Sequence, residues 1–327
     1  MAASSSAWGR YPALAHFSTE QSAALASCAT QLRFDDGSLV LKEKEPSSDI
    51  YLVESGELIL GRDTPYGRFD LARLGPGEMF GETSFLDHAP RSVDALTVGQ
   101  TTLWVLPSTD IQSRVDSDPA FSLAMHWAIW KSLSSKLRSA NALLPKFFPS
   151  SEAAAPRARE ARGDSGKVHV GVAEKRSVFE EPKLSNLEIN FLSSLSQERS
   201  FDAGAVLFRE GDPGDAMYVV LDGKVRISKM IPGVGEEALM ILERGAFFGE
   251  MALIDNLPRS ADARAHERGA VVLRIPRDVL EQLLDIRKVS SIRLLRLLCE
   301  LVAARLRELD DKLVGWHILS GGEGARH

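Results

Sequence analysis

The amino-acid sequence contains two copies of one pattern, separated by 167 or 168 residues. Phe34-Asp35-Asp36-Gly37 returns as Phe201-Asp202-Ala203-Gly204, and Tyr51-Leu52-Val53 returns as Tyr218-Val219-Val220. This repetition constrains the fold more than any other feature, because each copy must form the same structural unit. The chain is therefore a tandem duplication.

Length and composition agree with two globular domains. The 327 residues correspond to two domains of about 150 residues each. Hydrophobic residues make up 44% of the chain, which excludes a wholly disordered protein. The net charge of -6 argues against nucleic-acid binding by the whole surface, although it leaves a local basic patch open.

The sequence lacks the segments that direct a protein into a membrane or out of the cytosol. No run of about 18 apolar residues is present, and the first residues lack the charged start and apolar centre of a signal peptide. Cys28 and Cys299 are too few and too distant for a disulfide framework or a zinc site. Reduced thiols are typical of the cytosol, so we expect a cytoplasmic protein without membrane contact.

Each copy begins with an amphipathic helix followed by short strands. Apolar residues of Leu184–Leu195 recur at spacings of three and four, which predicts one helix face. The apolar runs Gly204–Phe208 and Met217–Leu221 predict strands, and Asp222-Gly223 is predicted to turn the chain before the alternating strand Lys224–Ser228. Many short strands with frequent turns predict a mainly β fold: two tandem antiparallel rolls of the jelly-roll type, with flanking helices.

Each roll is predicted to end in a long amphipathic helix. Asp118-Pro119 is a typical helix start in the first copy, and in the second copy a short helix from Arg277 precedes the long one. The apolar stripe of the last helix suits packing on its own roll or pairing with a second chain in a homodimer, and the sequence leaves both open. The stripe consists of Leu295, Leu298, Val302, Leu306, Leu309 and Leu313.

These patterns predict the domain boundaries. Residues 12–143 are predicted to form the first domain, and residues 182–314, which include the C-terminal helix, the second. Residues 144–181 are rich in proline, alanine and arginine and are predicted to be a linker, with residues 315–327 as a tail.

One segment of each copy carries the chemistry. The first cassette, Phe80–Ser92, reads FGETSFLDHAPRS, and the second cassette, Phe248–Ser260, reads FGEMALIDNLPRS. A glycine before a short helix lets backbone N–H groups approach an anion, and an arginine can pair with two phosphate oxygens. A glutamate beside such an anion site is suited to accept hydrogen bonds from hydroxyls. Phosphate and sugar hydroxyl together indicate a nucleotide.

Both cassettes resemble the phosphate-binding cassette of the cyclic nucleotide-binding domain family, whose pattern is F-G-E-x-A-L-x(4)-P-R-x-A. The pattern is long and occurs twice, so the resemblance is specific. The first copy departs from it with Ser84 and Val93 in place of alanines, and with Lys44-Glu45 in place of an upstream Gly-Asp. The second cassette matches at Phe248, Gly249, Glu250, Ala252, Leu253, Pro258, Arg259 and Ala261, and the first at Phe80, Gly81, Glu82, Pro90 and Arg91.

The resemblance implies a role for the residues of two ligand sites. Glu82 and Glu250 would hold the ribose 2′-hydroxyl, and Arg91 and Arg259 would pair with the cyclic phosphate. Nearby backbone N–H groups would complete the phosphate cradle. The predicted site residues are Gly81, Glu82, Thr83, Ser84, Arg91 and Ser92 in the first copy and Gly249, Glu250, Met251, Ala252, Arg259 and Ser260 in the second.

The resemblance favours cyclic AMP as the ligand. It leaves cyclic GMP open, because a serine follows the arginine in both copies and its hydroxyl suits a phosphate or a guanine 2-amino group. We expect no cofactor, no metal ion and no enzymatic activity, because no nucleophile–base arrangement is visible. The predicted function is a sensor in which the nucleotide repositions the long helices against a protein effector. A further hypothesis is that Trp316 stacks on the base in the second pocket.

The sequence leaves two other functions open. A transcription regulator of the catabolite activator type carries a DNA-binding module after its long helix, whereas about 15 residues follow Lys312, so direct DNA binding is not expected. A non-binding scaffold would keep Glu82 and Arg91 as a structural ion pair. The tandem arrangement also resembles the regulatory subunit of cyclic AMP-dependent protein kinase, although the short stretch before the first domain leaves no room for its docking helix and inhibitory segment.

Overall fold

The computed structural model describes the chain as two compact units. Met1–Phe147 together with Cys299–His327 form the first unit, and Phe148–Leu298 form the second. The residues that the structure describes are 8, 11–147, 164–166, 168–180, 182, 184–231, 235–284 and 291–322.

The units and the predicted domains divide the chain differently. The second domain was predicted to include the C-terminal helix, whereas residues from Cys299 onward group with the first unit. The predicted linker contains a described helix at Val172–Glu180. Residues 148–163, 167 and 181 of that linker, and residues 323–327 of the predicted tail, lie outside the described residues.

The first unit is a roll of strands with helices before and after it. Ser18 opens the first helix in a capping box with Gln21, and Asp118 caps the long helix by accepting hydrogen bonds from two backbone N–H groups. The strands are β1 (Thr30–Phe34), β2 (Leu39–Leu41), β3 (Ile50–Thr64), β4 (Gly67–Leu74), β5 (Met79–Phe80) and β6 (Asp94–Leu106), and the helices are α1 (Thr19–Cys28), α2 (Glu82–Asp87), α3 (Ser108–Ser117) and α4 (Pro119–Leu143).

The sheet of the first unit is antiparallel throughout its described pairs. Its order is β1-β6-β3-β4, with β2 paired to β6 and β5 paired to β3. Apolar side chains from these strands, among them Tyr51, Leu58, Phe80 and Leu103, form one buried cluster inside the roll. The first cassette starts at β5, so it leaves the sheet directly beside this core.

The second unit repeats this arrangement. Its strands are β7 (Asp164–Gly166), β8 (Gln197–Phe201), β9 (Val206–Phe208), β10 (Ala216–Ile231), β11 (Gly235–Leu242), β12 (Phe247–Phe248) and β13 (Asp262–Pro276). Its sheet has the order β11-β10-β13-β8-β7, with β12 paired to β10 and β9 paired to β13. The helices are α5 (Val172–Glu180), α6 (Asn186–Leu195), α7 (Met251–Ile254) and α8 (Arg277–Leu283), and α9 (Ile292–Leu319) begins in this unit and continues from Cys299 in the first. The prediction of two tandem antiparallel rolls, each followed by a long helix, is thereby confirmed.

The turn predicted at Asp222-Gly223 is wrong, because both residues lie inside β10. The pairing with β13 shifts register between Val220 and Asp222 and again after Gly223, which is the signature of a β-bulge. Gly223 has a φ of 74°, and a Cβ there would lie 2.2 Å from the carbonyl oxygen of Gly269. The glycine therefore bends one long strand instead of ending it.

The last helix buries its apolar stripe within the chain. Leu295, Leu298, Val302 and Leu313 have no exposed surface, and Leu306 and Leu309 are also buried. The part of the helix from Cys299 onward groups with the first unit, so the structure does not describe packing of the whole stripe on its own, second roll. Pairing with a second chain stays a prediction. No helix among the described residues is both long and apolar enough to cross a membrane. Cys28 and Cys299 are free thiols.

Candidate functional site

Each cassette begins at a two-residue strand held against the longest strand of its roll. Tyr51 lies opposite Phe80 in the first unit, and Tyr218 lies opposite Phe248 in the second. The rings of each pair are stacked, with centroids 4.9 Å and 5.2 Å apart. The same aromatic pair therefore fixes the point at which each cassette leaves its sheet.

A glycine in the left-handed region follows each of these strands. Gly81 has a φ of 85° and Gly249 a φ of 77°. A Cβ at Gly81 would lie 2.8 Å from Nη1 of Arg91, and one at Gly249 would lie 2.7 Å from Nη1 of Arg259. Glycine is needed at both positions, because it adopts this φ without strain and leaves space for the guanidinium.

The guanidinium of Arg91 is buried and fully engaged with the protein. Arg91 is 3% exposed. It donates from Nη1 to the carbonyl of Gly81 (2.8 Å), from Nη2 to the carbonyl of Asp49 (2.7 Å) and from Nε to Oγ of Ser47 (2.8 Å). Burial lowers the pKa of Arg91, although nearby acidic groups, Glu82 among them, act in the opposite direction. The cation is thus held in one orientation.

Arg259 has a similar position and donates to the backbone carbonyls at the equivalent places of the repeat. It donates from Nη1 to the carbonyl of Gly249 (2.6 Å) and from Nη2 to the carbonyl of Ala216 (2.7 Å). Its guanidinium carbon lies 4.3 Å from the ring centroid of Phe208, a cation–π contact. Its Nε is buried and has no hydrogen-bond partner among the described residues. Burial lowers the pKa of Arg259, and the charge of Glu250 opposes that shift.

The carboxylate of Glu82 is fully buried at the first turn of α2. Its Oε1 accepts hydrogen bonds from Oγ of Ser132 (2.9 Å) and from Nζ of Lys136, both on α4. Its Oε2 has no hydrogen-bond partner among the described residues. A buried carboxylate with one oxygen held and one open is suited to accept a further hydroxyl donor.

The second cassette is held by an arginine that sequence reasoning missed. Arg277, the first residue of α8, donates from Nη2 to the carbonyls of Gly214 (2.7 Å) and Ala252 (2.8 Å) and from Nη1 to the carbonyl of Leu253 (3.2 Å). These contacts tie α7 to the loop before β10. Glu250, just before α7, is 1% exposed.

All six residues predicted for the first site line one cavity in the first unit. The cavity has a volume of ≈ 50 Å³. Glu82 and Arg91 both contribute to its wall, so the structure brings the predicted carboxylate and guanidinium together. The remaining wall consists of Leu60, Leu71, Ala72, Phe80 and Val93 from the roll and the first cassette, Lys136 and Ala140 from α4, and Leu306 and Asp310 from α9.

The last helix contacts the first cassette through Arg307. This side chain donates to both carboxylate oxygens of Asp87 (2.7 and 3.1 Å), to the carbonyl of Pro90 (3.1 Å) and to Oγ of Ser84 (3.3 Å). Two parallel hydrogen bonds between a guanidinium and a carboxylate form a geometrically specific pair. Arg307 thus connects α9 to Ser84 within α2, to the C-terminal residue of α2 and to the segment that follows it.

A second arginine connects the same helix to the end of the first cassette. Arg62 on β3 donates from Nε to the carbonyl of Ser92 (2.6 Å) and from Nη1 to Asp311 (2.6 Å). The neighbouring Asp310 is 7% exposed, and burial raises its pKa to about 7. Trp316, hypothesised to stack in the second pocket, belongs to the first unit, with its ring centroid 6.3 Å from that of Phe147.

Sequence reasoning missed the helix residues that close the first cavity, because they are distant from it in sequence: Lys136 is 54 residues from Glu82, and Arg307 is 220 residues from Asp87. An isolated lysine or arginine on a helix is typical of a solvated face. One signal was present for Lys136, which lies three residues after Leu133 and four before Ala140 on the apolar face of α4. A lysine within a buried stripe indicates a buried partner.

Known proteins resemble the chain over both rolls. The cyclic nucleotide-binding domain family matches residues 31–118 and 198–287. A cGMP-dependent protein kinase, egl-4, of Caenorhabditis briggsae is 24% identical over 272 residues, which cover 83% of this chain and 30% of the kinase. A cAMP-dependent protein kinase regulatory subunit of Emericella nidulans is 27% identical over 251 residues, covering 76% of this chain and 48% of that subunit.

The chain therefore spans between about a third and about a half of the length of these relatives. Among solved structures, the regulatory domain of Toxoplasma gondii PKA with cAMP is 20% identical and aligns with a TM-score of 0.32, covering 88% of this chain and 92% of that domain.

Proposed function

Because the chain belongs to the cyclic nucleotide-binding domain family, we propose that it is a regulatory protein that senses cyclic AMP, with one nucleotide site in each unit. The observation that carries this proposal is the cavity of the first unit, where Glu82 and Arg91 line the same wall. A carboxylate and a guanidinium in one cavity offer complementary groups to a sugar hydroxyl and a phosphate.

The arginines are proposed to bind the cyclic phosphate. Arg91 and Arg259 are buried and fixed by backbone carbonyls, so each presents its charge without losing rotational freedom on binding. Backbone N–H groups near Ser84 and Ser92 in the first cassette, and near Ala252 and Ser260 in the second, are proposed to complete the cradle. Each hydrogen bond to a charged group contributes about 1.5–3 kcal/mol.

The glutamates are proposed to accept the ribose 2′-hydroxyl. Support comes from Glu82, which is held on one oxygen by Ser132 and Lys136 and whose other oxygen has no partner among the described residues. Glu250 is proposed to have the same role in the second site. Gly81 and Gly249 admit the arginines, while Thr83 and Met251 follow the glutamates and are proposed to lie against the ligand.

The nucleotide signal is proposed to reach a protein effector through the long helices. Kinases and a kinase regulatory subunit are among the relatives, so a protein kinase catalytic domain is the first class of partner to test. A ligand shifts the position of a helix only if it binds one position more tightly than the other. The proposed role is regulatory, cytoplasmic and without a catalytic step of its own, and homodimerisation through the last helix stays a prediction.

Isothermal titration calorimetry with cyclic AMP and, separately, cyclic GMP tests the proposal. We expect two sites per chain and tighter binding of cyclic AMP. Arg91→Lys and Arg259→Lys should each weaken binding at their own site, whereas Arg73→Lys, at an exposed arginine of the first unit, should change neither. Absence of heat with both nucleotides from a folded protein would overturn the proposal in favour of a scaffold.

A further inference from the structure

We propose that the C-terminal helix competes with the nucleotide for the first site: α9 closes the first cavity through Leu306, Arg307 and Asp310, and a nucleotide binds there only when this helix moves away. The inference rests on the proposed function of the first cassette. It assigns to α9 a role that the cassette sequence does not contain, since no residue of this helix belongs to the repeat pattern around Glu82 and Arg91.

The cavity is too small for a nucleotide while α9 is docked. The closed cavity measures ≈ 50 Å³, whereas pockets that hold small organic ligands measure about 300–1,000 Å³. Leu306 and Asp310 form part of its wall and are themselves buried. A nucleotide with a base, a sugar and a phosphate does not fit unless a wall moves, and the strands of the roll are fixed by their pairing.

The contacts of α9 lie at the proposed phosphate cradle. Arg307 reaches Ser84 and the carbonyl of Pro90, which belong to the first cassette itself. Ser84 lies in the proposed phosphate cradle. Arg62 joins the carbonyl of Ser92, at the other end of the cradle, to Asp311 of the same helix. The helix is therefore attached to the groups that a phosphate would engage.

The ion pairs that attach α9 are partly open to solvent. Arg307 of α9 pairs with Asp87 of the first cassette, whose side chain is 30% exposed, and Arg62 of β3 pairs with Asp311 of α9, whose side chain is 66% exposed. Ion pairs of this kind are weak and reversible. Asp310, by contrast, is a buried carboxyl on the cavity wall, and burial disfavours its charged form. Such an attachment can be exchanged for a ligand without unfolding the roll.

Competition has a measurable consequence for affinity. When the binding-competent state is populated only in part, the apparent dissociation constant rises by the inverse of that fraction. A change that weakens the docking of α9 must then tighten nucleotide binding at the first site. If α9 instead contributed to the binding site, weaker docking of the helix would weaken nucleotide binding.

A charge swap in the full chain tests the inference. In an Arg259→Lys background, which leaves the first site to be measured, Arg307→Asp places two carboxylates together and should tighten cyclic AMP binding by about tenfold. Asp87→Arg alone should act in the same direction, and Asp87→Arg combined with Arg307→Asp should restore the original affinity. Arg73→Asp is the matched control and should leave the affinity unchanged.

Hydrogen exchange of the unmodified chain gives a second measure that does not depend on variants. Saturating cyclic AMP should increase exchange in residues 302–313 of α9. Unchanged or weaker first-site affinity in Arg307→Asp, or increased protection of α9 by cyclic AMP, would overturn the inference while the proposed function stands. Absence of cyclic AMP and cyclic GMP binding at both cassettes, in the unmodified chain and in Arg307→Asp, would overturn the proposed function as well.

Discussion

The two cassettes share their sequence pattern and differ in how their arginines are satisfied. In the first cassette all three types of guanidinium nitrogen donate to the protein, and the Nε donor uses Ser47. In the second, Nε of Arg259 has no such partner among the described residues. The residue at the offset of Ser47 is Gly214, where a Cβ would lie 2.2 Å from Cβ of Ala252.

The two sites therefore differ because of one packing contact. Close contact between the Gly214 loop and α7 excludes a serine in the second unit, and with it the hydroxyl that would satisfy the arginine. An unsatisfied buried donor costs about 1–3 kcal/mol, which an incoming phosphate oxygen can offset. A repeated motif can thus have its arginine Nε satisfied by its own protein in one copy and left without an acceptor among the described residues in the other.

The largest expected effect concerns the ion pair under the first cassette. Lys136→Met leaves Glu82 as a buried charge without its cation, so the free energy of unfolding should fall by about 3–5 kcal/mol. Chemical denaturation measures it. Lys136→Met combined with Glu82→Gln should recover most of the loss, because it removes both charges. A loss that the double variant does not reduce would mean that the pair does not hold the first cassette.

Removal of the second guanidinium is expected to have the next largest effect. Arg259→Lys loses the planar donor pair, so cyclic nucleotide affinity at the second site should fall by about tenfold or more. Arg91→Lys should change overall binding less, because the first site is closed by α9. Calorimetry of both variants measures the two losses of affinity. Equal losses would contradict the proposed difference between the cassettes.

A smaller change makes the first arginine resemble the second. Ser47→Ala removes the acceptor of Nε in Arg91, and the free energy of unfolding should fall by about 1–3 kcal/mol because a buried donor is left unsatisfied. Ser48→Ala is the neighbouring control, since its hydroxyl takes no part in this network. If the two variants have equal stability, Ser47 does not account for the difference between the arginines.

The smallest expected effect is a pH dependence at α9. Because burial raises the pKa of Asp310 to about 7, well above its ordinary value of 3.8, the folded state binds its proton more tightly. The protonated carboxyl of Asp310 therefore favours the folded state at low pH. This stabilisation is lost as the pH rises through 7, and the loss between pH 6 and pH 8 is on the order of 1 kcal/mol. Arg62, Lys136 and Arg307 oppose the shift, and Asp311 adds to it.

Thermal unfolding at pH 6 and pH 8 measures this dependence. The melting temperature of the unmodified chain should fall more over this interval than that of Asp310→Asn, which has no proton to lose. If acidification favours docked α9, first-site affinity should also be lower at pH 6 than at pH 8. Identical pH profiles of the two proteins would show that Asp310 does not titrate in this range.

The rolls and the cassettes could be predicted from the sequence because their signals are local. Gly81, Glu82 and Arg91 are close in sequence, and strand periodicity needs only a few residues. The bulge at Gly223 was misjudged because Asp-Gly has the same composition in a turn and in a bent strand. Pairing partners, which the local sequence does not contain, decide between the two.

The helix residues that contact each cassette could not be predicted, for a different reason. Lys136, Arg277 and Arg307 act through contacts with residues 24 to 223 positions away. Each lies on a helix whose amphipathic pattern is satisfied by many ways of packing. Only the three-dimensional structure shows which helix face meets which cassette, and hence why equal motifs have unequal surroundings.

The stacking of Arg259 on Phe208 has a consequence for the rate and selectivity of ligand capture. A guanidinium that lies against a ring and is only 4% exposed has already lost most of its hydration shell before any anion arrives. The dehydration of this cation is thus completed during folding of the second roll. A phosphate group of the proposed nucleotide would then shed only its own water, and a ligand hydroxyl that donates to Glu250 would favour the nucleotide over an inorganic anion.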